Sequence, residues 1–374
     1  LCGTARVCGH GGTNQTFGEN AVTDFRIDSH KLNFHPERVA QWRAADTWEK
    51  AKEIFPIYVE VSPSGACNHR CTFCAVDYIG YKPLLINNWI MRRMISEMGA
   101  CGVKSVMFGG EGEPLLHKGM DEAVMAVKNA GMDAAFTTNG TLLDRLETVQ
   151  ECTWIKVSVN AGTKDTYGRI HKAKEGDFDK VWLNIRDAAK RKGQCTLGVQ
   201  TVLLPENRPE VFLLAHLAKD AGADYLAVKP YSQHKYSITR EYEGLKYDGN
   251  LHLAEALATL NDASFHVEFR TDAMRQQEEP IHYDKCHATP NFWAYVMASG
   301  DVYSCSAYLL DDRFKLGNVN TEGFRDIWQG EKRHRNWDFV RDVLDIHECR
   351  LNCRMDKVNR YLDDFGKVEH VNFI

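Results

Sequence analysis

Between residues 57 and 232 the chain alternates six times between a short β-rich run and a longer stretch of helical character. The runs are 57–61, 105–108, 134–138, 154–159, 196–203 and 225–228, and helical stretches at 88–98, 120–130, 178–190 and 209–221 fall between them. This alternation limits the fold more sharply than any other feature. Strands separated by helices pair in parallel, with right-handed crossovers. Six strands are too few to close an eight-stranded ring, so the pattern predicts an α/β fold, an open partial (β/α)6 barrel. The chemistry of such a barrel lies at the carboxyl ends of its strands. Residues 1–56 read as an irregular arm followed by a helix over 37–55, 57–232 as the barrel, and 233–374 as a linker and C-terminal extension. Within the extension, 281–310 reads as a hairpin around Ser299-Gly300-Asp301, and 331–345 and 354–364 read as helices.

The chain has 374 residues and a net charge of −5. That balance argues against a protein whose main task is gripping nucleic acid or an anionic membrane. No apolar run approaches the roughly 18 residues that a membrane helix needs. The first twenty residues lack a charged start followed by an apolar stretch, so a cytoplasmic location is expected. In that compartment twelve cysteines suggest metal ligands or catalytic groups rather than disulfides.

The cysteines cluster. Cys67, Cys71 and Cys74 form a C-x3-C-x2-C group just after the first run. Cys286, Cys305, Cys349 and Cys353 form a second group near the C-terminus. Three thiolates in one loop suit an iron–sulfur cubane that keeps one iron open, whereas a structural zinc wants four ligands. A zinc site that borrows a distant residue, or His69 inside the motif, is the competing reading. Gly-Gly-Glu-Gly-Glu-Pro (109–114) follows the second run and Thr-Asn-Gly (138–140) the third. Glycines there let backbone approach a ligand closely.

These motifs together resemble the radical S-adenosylmethionine (SAM) superfamily, over roughly residues 55–232. The resemblance implies that Cys67, Cys71 and Cys74 hold a 4Fe–4S cluster whose open iron is chelated by SAM, with Phe73 near the adenine. It implies that Gly110, Gly112, Glu113 and Asn139 belong to the SAM-binding loops, Glu113 standing in the Gly-Glu-Pro position that meets the SAM ammonium group. Ser158 and Asn160 resemble strand-four residues that contact the ribose or carboxylate. Arg169 resembles a cation facing the SAM carboxylate, and the backbone of Val228 would touch adenine. The second group is similar to the auxiliary-cluster extension of these enzymes, called twitch or SPASM. Four cysteines fit the shorter form with one further 4Fe–4S cluster, although its final C-x3-C departs from the expected C-x2-C. A structural zinc is the alternative at this site.

By the same resemblance, an external one-electron reductant such as a flavodoxin or ferredoxin feeds the first cluster, and reductive cleavage of SAM yields a radical that takes a substrate hydrogen. A cluster saturated by four Cys suits electron transfer. Cys101, Cys152 and Cys195 precede or open strands, on the face away from the chemistry, and read as small buried hydrophobes. Only Cys2 and Cys8, in the arm, remain to return a hydrogen as an epimerase thiol. The reading is therefore oxidation of a small polar substrate, for example a sugar or aminocyclitol alcohol, with the auxiliary cluster as electron acceptor. Peptide modification or epimerisation is the first alternative, and a non-catalytic iron–sulfur or zinc protein the second. Lys229 or His234 would take the hydroxyl proton, and Glu111 would face substrate. The arm around Gly11-Gly12-Thr13-Asn14 is placed either over the barrel mouth or in disorder. No nucleic-acid or membrane partner is expected.

Overall fold

A computed structural model describes residues 25–370 and 372. The arm residues Cys2, Cys8 and 11–14 lie outside the described residues. Ten strands make one sheet: β1 (Tyr58–Val61), β2 (Ser105–Phe108), β3 (Asp133–Thr138), β4 (Trp154–Ser158), β5 (Thr196–Val202), β6 (Tyr225–Lys229), β7 (His266–Phe269), β8 (Trp293–Val296), β9 (Asp301–Tyr303) and β10 (Lys315–Asn318). Their order is β10-β9-β8-β1-β2-β3-β4-β5-β6-β7. The six expected strands lie side by side and parallel.

Two further parallel strands extend them, β7 beside β6 and β8 beside β1. The sequence pattern hid both. His266-Val-Glu-Phe269 alternates polar and apolar over only four residues inside a charged stretch. β8 reads as one arm of a hairpin, and it is that too, pairing antiparallel with β9. Among the described residues no ladder joins β7 to β8, so the barrel stays open.

Register separates the sheet into two faces. Val61, Phe108, Phe136 and Ile155 share one row, and like Val59, Val157, Leu197 and Val199 they are fully buried on the outer face. Helices at Asn88–Ala100, Met120–Asn129, Asp177–Arg191 and Val211–Asp220 cover that face with apolar residues at three- and four-residue spacing. Each such side chain contributes about 1.5–3 kcal/mol by leaving water. The inner face is different. Tyr58, Glu60, Thr137, Lys156, Ser158, Gln200 and Lys229 occupy it. Most of them keep accessible surface although their strand neighbours are buried. The inside of this partial barrel is thus a polar space and not a core.

The helix expected over 37–55 is split into Pro36–Ala44 and Trp48–Ala51. Thr47, in extended conformation, restarts the second piece. Arg333 ties this segment to the C-terminal extension. It is fully buried, stacks on Trp328 at 4.4 Å, and donates to the carbonyls of Pro290, Trp328, Ala51 and Ile54. No helix among the described residues is long and apolar enough to cross a membrane.

Candidate active site

The loop after β1 carries Cys67, Cys71 and Cys74, all half-buried. Three neighbouring elements hold it. From the β2 side, Glu113 N–H donates to the Ala66 carbonyl at 2.8 Å. Gly112 runs so close that a Cβ there would sit 2.2 Å from the Ser64 carbonyl oxygen and 2.3 Å from that of Ala66. From the end of β3, Asn139 Nδ2 donates to Asn68 Oδ1 (2.8 Å), and Asn68 Nδ2 donates to Thr141 Oγ1 (2.9 Å). From the helix Lys164–His171, the terminal carbonyls of Ile170 and His171 accept from Thr72 N–H (2.9 Å) and Arg70 N–H (3.1 Å). Carbonyls that a helix end leaves unpaired are thus satisfied by the cysteine loop itself.

Burial pushes the Cys67 thiol up to about 11 and Cys71 well above the usual range, and it raises Cys74 as well. For Cys67 and Cys71 the neighbouring thiols add to that cost of ionising. A bound cationic centre relieves such a cost, so this donor set fits an iron–sulfur cluster. The nitrogens of His69 and His171 lie within 4.8 Å of Cys71 Sγ and of each other. The arrangement gives His171 another role than metal ligand. Its Nε2 accepts from Asn160 N–H at 3.1 Å, so its hydrogen is on Nδ1, 3.4 Å from Cys71 Sγ. Burial keeps the ring neutral. His171 therefore donates to the sulfur, and no sequence signal marked it beyond its place after Arg169.

The other residues expected near SAM fall into two groups. Gly110 (φ +97°) and Gly112 are demanded by close backbone packing, since a Cβ on Gly110 would meet Tyr295 Oη at 2.4 Å. Phe73 sits edge-on to His171 at 5.8 Å, and Ser158 ends β4 on the inner face with part of its surface open. These four border the cysteine loop or the polar space.

The remaining members are already engaged in holding the scaffold. Glu113 is buried and accepts from Leu115 N–H (3.1 Å), Thr138 Oγ1 (2.6 Å) and Asn139 N–H (2.8 Å). Asn139 is spent on Asn68 and Thr141. Asn160 Oδ1 accepts from Val202 N–H at 2.6 Å, and its carbonyl accepts from Asn207. The Val228 carbonyl accepts from Arg270 N–H at 2.9 Å, and its side chain points into the outer core. Arg169 is corrected more plainly. It is exposed, and its guanidinium donates to Thr166 Oγ1 on its own helix (3.1 Å).

The three expected catalytic residues diverge as well. Glu111 is buried, and Oε1 accepts from Ala298 N–H at 3.0 Å, while Oε2 is buried without a hydrogen-bond partner. Burial pushes this carboxyl up to about 7. The Tyr78 hydroxyl, also buried and unpartnered, is close enough for the Glu111 charge to act on it. Lys229 ends β6 on the inner face, its amine held well below the usual range by burial and by neighbouring cations. His234 is the second correction. Its Nδ1 accepts from Tyr236 N–H at 3.1 Å, so the remaining nitrogen already carries the hydrogen and has no lone pair for a substrate proton. Burial holds it neutral down to about 4, and the ring stacks on Tyr78 at 5.1 Å.

The second cysteine group converges on one cavity. Cys286, Cys305, Cys349 and Cys353 all line it, walled by Trp293, Tyr283, Tyr308, Phe314, Leu344 and Ile346. Three of the sulfurs have placed donors or partners. Tyr308 Oη is 3.2 Å from Cys349, Asn359 Nδ2 is 3.7 Å from Cys286, and Met355 N–H is 3.4 Å from Cys353. Asn352, at φ +58°, makes the turn that brings Cys349 and Cys353 to the same cavity, a conformation asparagine tolerates. Burial and the neighbouring thiols raise Cys305 well above the usual range and Cys353 to about 12. Four sulfurs in an apolar, aromatic pocket fit a fully ligated cluster.

Comparison with known proteins agrees with these two sites. The family model described as the Radical SAM superfamily matches residues 61–218, and that of an iron–sulfur cluster-binding domain, SPASM, matches residues 286–354. A GTP 3',8-cyclase of Chlorobaculum tepidum is 27% identical over 193 residues, covering 50% of this chain and 58% of the relative. One of Rhizobium etli is 33% identical over 179 residues, covering 46% of this chain and 51% of the relative. The chain thus spans about half the length of the curated relatives it matches. Among solved structures, Streptococcus suis SuiB bound to SAM superposes with a TM-score of 0.61 at 17% identity, over 80% of this chain and 70% of that one. The SAM-bound anSMEcpe gives 0.57 at 18% identity, over 82% and 88%. At such identities the likeness establishes the fold. The family matches, falling on the two cysteine sites described above, place this chain in the radical SAM superfamily, with an SPASM domain, and with 4Fe–4S clusters and SAM as its cofactors.

Proposed function

We propose that the chain oxidises a small polar substrate held in the barrel space, by removal of a hydrogen atom followed by loss of a proton and an electron. When bound, the first cluster and SAM supply a 5′-deoxyadenosyl radical as the hydrogen acceptor, and the second cluster supplies an electron acceptor. Cys67, Cys71 and Cys74 hold the first, and Cys286, Cys305, Cys349 and Cys353 the second. The observation that carries the reading is the placement of sulfur. Four thiols line the second cavity, while Cys101, Cys152 and Cys195 are buried before or at the starts of β2, β4 and β5, too far down the barrel to return a hydrogen.

Glu111 is the residue to take the proton, since a carboxyl poised near 7 with one unpartnered oxygen matches a general base at neutral pH. Tyr78 and Glu111 would satisfy their buried oxygens on the substrate. An external one-electron donor completes the cycle. The test is turnover in heavy water with product analysis. Oxidation predicts no solvent deuterium fixed on carbon, whereas a deuterated, isomerised product would overturn it in favour of epimerisation. A peptide substrate is the second reading, supported by the fold shared with SuiB, which has been solved with its precursor peptide.

A further inference from the structure

The polar interior carries several cations that no ion pair among the described residues balances. Lys156 and Lys229 stand on the inner face of β4 and β6. Arg350, between two cysteines of the second site, reaches back over the barrel and donates to Ser232 Oγ (2.8 Å) and to the Ser232 carbonyl (2.7 Å), just beyond β6. Arg270 and Arg354 stand near enough to act on Lys229. Glu111 aside, whose second oxygen is unpartnered, the nearby acids are committed elsewhere. Glu60 pairs with Arg354, Asp28 with Arg270 (3.1 Å), and Glu268 with His266 (3.2 Å). That leaves Lys156, Lys229 and Arg350 without an ion-pair partner among the described residues; Lys156 rests only over the Trp154 ring at 5.0 Å.

Buried like charges repel and are costly unless a counter-charge arrives. Here they meet on the inner face of the barrel, Lys156 and Arg350 standing near enough to Lys229 for their charges to act on it. Each keeps some accessible surface while protein atoms surround it, as a side chain projecting into an internal space does. We infer that this space binds the anionic group of the substrate, a phosphoryl or carboxylate, through Lys156, Lys229 and Arg350. The inference rests on the reading that substrate occupies the barrel, and it narrows the substrate to an anionic one. Lys229 then serves recognition and leaves the proton to Glu111. Burial and the neighbouring cations hold Lys156 down at about 8 and Lys229 well below its usual range, so an arriving anion draws protons onto both.

The test uses the reconstituted, SAM-loaded protein without turnover, so it stands apart from the outcome of the oxidation assay. Sulfate, as a phosphoryl probe, and acetate, as a carboxylate probe, are titrated calorimetrically near pH 8 in buffers of different ionisation enthalpy. Saturable binding with net proton uptake is expected. Whichever probe binds more tightly identifies the group. Lys229→Met and Lys156→Met should each weaken binding about tenfold or more and reduce the uptake, and Arg350→Gln should weaken it less. Iron content and far-UV circular dichroism confirm that the variants fold. No saturable binding, or equal binding by wild type and variants, overturns the proposal. So does loss of SAM affinity in the lysine variants with sulfate competing against SAM, because the cations would then serve the SAM carboxylate.

Discussion

The two sulfur sites are built by opposite means. The first is a loop held by a hydrogen-bond web that runs from Asn68 through Asn139 to Glu113 and from Arg70 and Thr72 to a helix end. The second is a cavity whose walls are aromatic and aliphatic, with only scattered donors to its sulfurs. Polar webs fix geometry sharply and leave one side open to a ligand. Apolar walls exclude water and shield a centre that all four thiols can ligate. The contrast teaches that three ligands against four is matched by a difference in the whole surrounding, and experiments can break or sharpen it.

The largest effect belongs to the first loop. Cys71→Ala should reduce SAM cleavage to background and bring iron from about eight atoms per chain to about four, as two cubanes become one. 5′-Deoxyadenosine analysis with iron counting checks this, and cleavage at the wild-type rate would refute the placement. Cys353→Ala should also drop iron to about four, yet leave SAM cleavage within about threefold while oxidised product disappears, since only the electron exit is lost. If both variants lost cleavage alike, the two sites would not be separable. Next comes Gly112→Ala, whose new methyl would overlap two carbonyl oxygens of the cysteine loop. It should cost a few kcal/mol in chemical unfolding and lower occupancy of the first cluster, while leaving the second intact.

Glu111→Gln should flatten the pH profile. The Glu111 carboxyl is protonated below about 7 and ionised above it, so a proton acceptor there makes kcat rise through that pH. The variant should lose that limb and most of the rate, measured from pH 5.5 to 8.5. The smallest effect is expected from His171→Leu, which removes an N–H donor from Cys71 sulfur. Without that donor the reduced cluster is less stabilised, so the potential should fall by roughly tens of millivolts in a titration followed by electron paramagnetic resonance. The equivalent loss at the second site, Tyr308→Phe, should leave the first potential unchanged.

Most of the barrel was legible because nearly all outer strand residues are apolar, Thr138 and Thr201 excepted, and the helices keep their spacing. β7 escaped because a four-residue edge strand with His and Glu at alternate positions carries no hydrophobic signal. The metal-ligand cysteines were visible in their spacing. The scaffold contacts of the residues around them were not visible. Glu113, Asn139 and Asn160 also hold the scaffold through hydrogen bonds to neighbouring backbone and side chains, and spacing cannot reveal which lone pairs are already used. Arg169 and His171 share a helix of eight residues, and only its rotation decided that the histidine faces sulfur and the arginine faces solvent. Tyr78 and the charged interior left no motif, because they are assembled from segments far apart in the sequence.

β8 is bonded along both edges, to β1 on one side and to β9 on the other. Its first residue, Trp293, stands in the wall of the second sulfur cavity, and its neighbour β1 runs straight into the loop of the first. One rigid beam therefore spans both redox stations. Separating the two sulfur sites would mean tearing a ladder apart rather than swinging a hinge, so the strand that enters the first loop and the wall of the second cavity move as one body.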